Sequence, residues 1–83
     1  MTDVRVQDIT EYVDRSNPAL PVPRVLVTYI AQDGRVSSFN LPKDRASREL
    51  ITSAVAADAS ARLRLAPPIT VRYADHLLPP AGR

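Results

Sequence analysis

Residues 24–41 read RVLVTYIAQDGRVSSFNL. Two runs rich in β-branched and aromatic residues flank Asp33-Gly34, and that dipeptide suits a tight turn because its backbone tolerates positive φ. The pattern predicts a β-hairpin. With Asp33-Gly34 as a two-residue type I′ loop, Ala31 faces Val36, Thr28 faces Phe39 and Leu26 faces Leu41. One sheet face then holds Leu26, Ile30, Phe39 and Leu41 and is the better candidate for the core. The opposite face holds Val25, Val27, Tyr29 and Val36 with Ser38 and Asn40, and is expected to stay uncovered.

Upstream, residues 15–23, RSNPALPVP, carry three prolines. Each fixes its own φ and turns the preceding residue away from helix, which predicts an extended connector of polyproline-II character. Residues 4–13, VRVQDITEYV, are open to two readings. As a strand they set Val4, Val6 and Tyr12 on one face, with Asp8 and Thr10 between them. As a helix they align Val6, Ile9 and Val13. Their β-branched content favours a strand, interrupted or edge-like.

Downstream, Pro42 ends the hairpin and Asp44 is placed to cap a helix from Arg45 to about Leu65. Its apolar stripe is expected along Ala46, Leu50, Ile51, Ala54, Ala57, Ala61 and Leu65. Pro67-Pro68 stops the helix, and ITVRYA alternates with Ile69, Val71 and Tyr73 on one face. The expected fold is a small α+β domain of (β)ββαβ order, one helix on a three- or four-stranded, mainly antiparallel sheet. It divides into an N-terminal strand and proline-rich arm (1–23), a ββαβ core (24–74) and a C-terminal tail (75–83).

Composition bounds what such a domain does. Eighty-three residues make a single domain with a modest core, and there is no cysteine to staple it or hold a metal. A lone His76 does not supply the paired imidazoles of common zinc sites, and beside Asp75 its side chain diverges from that of its neighbour. Asp8, Glu11 and Asp14 have the spacing of a solvated face rather than of an acid–base pair. With Gly34 in a turn and Gly82 as the only other glycine, no glycine-rich loop exists to cradle a phosphate. A non-enzymatic protein without cofactor, metal or small-molecule substrate is therefore expected. No apolar run approaches membrane-spanning length and no signal pattern opens the chain, so a cytoplasmic setting is expected.

Binding sites are then sought on surfaces. The face carrying Val25, Val27 and Tyr29, the connector with Leu20 and Val22, and the tail with Leu77 and Leu78 exceed what one helix covers; these seven residues are the expected protein-interaction set. The connector also matches a +xxPxxP ligand pattern from Arg15 to Pro21, for which a rigid spacer is the plainer reading. Nucleic acid is the alternative partner, through Arg45, Arg48, Arg62, Arg64 and Arg72. The net charge of +2 is mild for that role; residues 1–14 carry four acids against one arginine, so the positive charge lies downstream.

Ten of the eleven basic residues are arginine, and residues 54–61 are alanine-rich. With the compact length, absent cysteine and RVLVTYIAQDGRVSSFNLP leading into an alanine-rich helix, the chain resembles small accessory proteins of phages of G+C-rich bacteria. The resemblance implies a minor virion component, a capsid, connector or tail subunit assembled in the host cytoplasm, with homo- or hetero-oligomeric partners. A soluble inhibitor or adaptor that binds one host protein through the hairpin edge is the second reading.

Overall fold

The computed structural model describes residues 2–77. Strands β1 (Thr2–Asp14), β2 (Val22–Ala31) and β3 (Val36–Pro42) form an antiparallel meander. Helix α1 (Arg48–Arg62) then crosses one face and returns the chain to β4 (Ile69–Tyr73), which pairs parallel with β1. The result is an α+β domain with a four-stranded mixed sheet in the order β3-β2-β1-β4. The first segment is thus a strand, and an inner one rather than an edge.

The hairpin forms where expected, but its register differs by one residue. Ala31 N–H donates to Arg35 O (2.8 Å) and Gly34 N–H to Ala31 O (3.0 Å), so the loop has three residues, Gln32-Asp33-Gly34. Gly34 sits at φ +90°, a value that strains any residue with a Cβ. Three-residue loops of this kind place a glycine in the left-handed position beside the last ladder pair. Asp33 Oδ1 accepts from Arg35 N–H and its Oδ2 from Arg35 Nε, which holds its carboxyl below the usual range. Ile30 now faces Val36, Val27 faces Phe39 and Val25 faces Leu41.

A shift of one residue exchanges the two faces of one strand relative to the other. Val25, Val27 and Tyr29 join Phe39 and Leu41, and this is the face that α1 covers. The fully buried core is Val4, Val6, Val25, Val27, Tyr29 and Ala31 from the sheet, with Ile51, Val55 and Ala59 from the helix. The expected core face is therefore corrected: Leu26 and Ile30 lie on the outside. Val25, Val27 and Tyr29 are core and offer nothing to a partner.

A bulge does the same work within β1. Val6 pairs with Tyr29 and Asp8 with Thr28, leaving Gln7 as the extra residue. Val4 and Val6 thus face the helix, Ile9 rejoins them after the bulge, and Asp8, Thr10 and Tyr12 point outward. Tyr12 does not share a face with Val4 and Val6.

Helix α1 starts later than expected. Lys43–Arg45 is a 3-10 turn, and Ser47, not Asp44, caps the helix, its Oγ accepting from Leu50 N–H at 3.3 Å. The buried stripe runs Ile51-Val55-Ala59, and Leu50 is exposed. Arg64 ends the helix in a left-handed conformation (φ 56°), which lets Leu65 N–H reach back to Ala59 O and brings Leu65 onto the core.

The segment expected as an extended connector is a compact hairpin loop. Asp14 Oδ1 accepts from both Ser16 N–H and Ser16 Oγ, and Leu20 N–H closes a turn onto Asn17 O. Val22 already belongs to β2.

Candidate interaction surface

On the helix side the polar groups are consumed in holding α1 to the sheet. Tyr29 Oη donates to Asp58 Oδ2 (2.5 Å), Ser37 Oγ donates to the same oxygen, and Arg62 Nε lies 3.1 Å from Asp58 Oδ1. Burial and the hydrogen bond to the Asp58 carboxylate push the Tyr29 hydroxyl up to about 12. At the other end of the helix Tyr73 Oη shares a hydrogen bond with Thr52 Oγ1 (2.6 Å) and donates to Arg48 O, while the Arg48 guanidinium stacks on the Tyr73 ring. Each cluster links helix to strand. Among the described residues no group of three histidine, aspartate or glutamate side chains converges on one point.

The outer face is different. Nothing among the described residues packs over it, and it mixes apolar with polar groups. Ile30 and Val36 are cross-strand partners near the Asp33-Gly34 loop, and Val36 is 61% exposed. Leu26 (37%) lies at the other end with Tyr12 (38%) diagonal to it across β1. Thr28, Ser38 and Asn40 separate the two apolar spots. Arg24 reaches Asn40 Oδ1 and pairs with Asp14.

At the corner where β1, β2 and β4 begin or end lies an open cleft of about 360 Å³, lined by Asp3, Arg5, Ile30, Gln32, Gly34 and Arg72 among others. Arg5 and Arg72 are register partners on neighbouring strands, so two like charges stand side by side. Asp3 Oδ2 lies 3.3 Å from Arg72 Nε, and its buried Oδ1 accepts no hydrogen bond from the described residues. The cleft presents one carboxylate and two guanidinium groups to solvent.

The residues expected to bind protein are thus dispersed. Val25, Val27 and Tyr29 are core; Leu77 is half-buried in a 3-10 turn and packs on that core, its carbonyl accepting from Arg48 Nη2. Leu78 lies outside the described residues. Leu20 in the β1–β2 loop is 65% exposed, and Val22 is half-buried. Leu26, Val36 and Tyr12 replace the lost members; the three-residue hairpin loop sets Leu26 and Val36 outward together, and the bulge at Gln7 sets Tyr12 outward.

The five arginines do not form one track either. Arg48 and Arg62 lie on the helix side, engaged by Tyr73 and Asp58, whereas Arg72 projects from the outer face and meets Asp3. Arg45 lies in the turn before α1 and Arg64 at its end. No helix among the described residues is long and apolar enough to cross a membrane. Comparison with protein-family models, with curated proteins and with solved structures finds no match to this chain.

Proposed function

We propose that this chain is a non-enzymatic protein-interaction subunit, a minor structural component of a virion or comparable assembly, which packs its bare sheet face and β1–β2 loop against neighbouring protein. The observation that carries the reading is the exposure of Leu26 and Val36 on a sheet whose one α-helix among the described residues is committed to the opposite face, with Leu20 exposed in the β1–β2 loop. Apolar side chains held outward on a rigid sheet expose area to water that a partner would bury. The resemblance to small phage accessory proteins points the same way. Arginines dispersed over both faces, three of them already engaged within the chain, favour protein over nucleic acid as the partner.

Gel filtration of lysate from cells that make the chain at native level tests this. An assembly subunit elutes far above the 9.1 kDa of the chain. A Leu20→Asp, Leu26→Lys double variant that keeps its circular dichroism spectrum elutes as the free chain. Elution of the unaltered chain as a free monomer overturns the proposal.

A further inference from the structure

The two edges of the sheet are unequally protected. Edge strands expose a row of unpaired N–H and C=O groups, and soluble proteins blunt them with charge, proline, bulges or short length. The β4 edge has five residues, carries Arg72 and follows Pro67-Pro68. The β3 edge has seven residues, VSSFNLP, with no charge, and proline only at its last position.

The ladder fixes which β3 groups point outward. Ala31 N–H bonds to Arg35 O, which sets these two residues at a hydrogen-bonded position of the ladder, and such positions alternate along an antiparallel pair. Ser37, Phe39 and Leu41 therefore bond to β2, and Val36, Ser38 and Asn40 present their backbone groups outward. Arg62 agrees with this: its Nη1 reaches Ser38 O from the helix side, at a long 3.5 Å.

We infer that β3 pairs antiparallel with β3 of a second copy of this chain, joining two sheets about a two-fold axis at Ser38. In this register Ser38 faces Ser38 and Val36 faces Asn40 of the second copy, so all three outward residues donate and accept, giving about six backbone hydrogen bonds. Sliding the axis toward Pro42 loses donors, because proline has no N–H. Sliding it toward the hairpin loop runs into Gly34, which has left the ladder at φ +90°. The charge-free strand sets no like charges together, and along the same register Lys43 runs toward Asp33 of the second copy. Two-fold pairing at the β4 edge would instead crowd two Arg72 side chains onto one face.

The contact covers Val36, the more exposed of the outer-face aliphatics, and among the described residues displaces only the long Arg62 bond, since Arg62 keeps Asp58 at 3.1 Å. This inference rests on the assembly reading and names one of its contacts. An interface of this size is small, so a weak, concentration-dependent dimer is expected.

Sedimentation equilibrium of the purified chain from about 10 µM to about 1 mM reads that dimer. Ser38→Pro removes one outward N–H from an edge strand and is expected to weaken dimerisation by about tenfold or more. Ser38→Lys and Ser38→Glu are each expected to be monomeric, because the axis sets like charges together, and an equal mixture of the two is expected to dimerise. The mixture decides the matter even where the proline variant fails to fold. A wild-type chain monomeric throughout, or a mixture no better than its components, overturns the inference. Purified monomer with a large particle in lysate sinks the edge pairing and leaves the assembly reading standing; a purified dimer with free chain in lysate does the reverse.

Discussion

Val27 and Thr28 are adjacent in the same strand, yet Val27 is fully buried beneath α1 and Thr28 looks out from the bare face. The centre of the inner face is apolar: Val4, Val27 and Val55 meet there with Phe39, Leu41 and Val71 packed around them, and Ser37 with the Tyr29 hydroxyl meets Asp58 at its margin. The outer face alternates Leu26 with Thr28, and Val36 with Ser38 and Asn40. One face is therefore specified by burial, and the other is left for solvent or for a partner. Sheet residues of similar composition acquire opposite roles from the parity of their position alone.

The contrast breaks most sharply at the core. Ile51→Ala empties part of the contact between α1 and the sheet and is expected to cost about 2–4 kcal/mol, read as a fall in urea midpoint. A cost below about 0.5 kcal/mol, the surface value, means that α1 does not cover this face.

Tyr29→Phe removes the hydrogen bond to Asp58 with little change in packing, and about 1–2 kcal/mol of stability goes with it. The sign of its pH dependence follows from a hydroxyl held at about 12 in the fold against an ordinary 10. The folded chain keeps the proton where the unfolded chain releases it. This contribution is complete below the ordinary value and is lost as pH rises toward about 12. Alkaline urea titrations of wild type and Tyr29→Phe should therefore converge at high pH; a constant difference between them contradicts the assignment.

Arg64→Gly works in the opposite direction. Glycine adopts the left-handed conformation after α1 without the strain of a Cβ, so thermal unfolding should report a gain of about 1 kcal/mol. A loss there would mean that the Arg64 side chain contributes more than its backbone costs.

The smallest effects belong to the hairpin loop and the bare face. Deleting Gln32 leaves Asp33-Gly34 as a two-residue loop between the same ladder partners, Ala31 and Arg35. Stability should change by no more than about 1 kcal/mol, with the same β2 and β3 amides protected from exchange. A changed protection pattern would show that the loop, not the core, selects the register. Leu26→Lys should shift stability by only about 0.5 kcal/mol in either direction. A larger loss would place Leu26 in a packed environment that the outer face does not have.

Much of the fold is legible along the chain. Strand, turn, strand, helix and strand follow from β-branched runs, Asp-Gly, helical spacing and the proline pairs, because these signals are local. β4 is the clearest case: Ile69, Val71 and Tyr73 alternate and all pack on the core. The first segment shows what a simple period misses. Val4, Val6 and Ile9 are spaced two and then three, which fits neither a regular strand nor a helix but fits a strand with a bulge at Gln7. The helix stripe was legible only in part, since with alanine on nearly every side the Ile51-Val55-Ala59 row stands out little from its neighbours.

The interaction surface was less legible than the fold, and for a physical reason. Local pattern determined a small α+β chain, and composition determined that it has no cysteine, one histidine and two glycines. The alternation of β2 likewise determined that its odd and even residues part company. Which set lies under the helix was left to the tertiary structure. A two-residue and a three-residue loop at Asp33-Gly34 are both locally acceptable, and they differ by one residue of register. Only burial against Ile51 and Val55 distinguishes them, by placing Phe39 and Leu41 beside Val27 and Val25. That packing turned Val25, Val27 and Tyr29 into core and left Leu26 and Val36 facing outward.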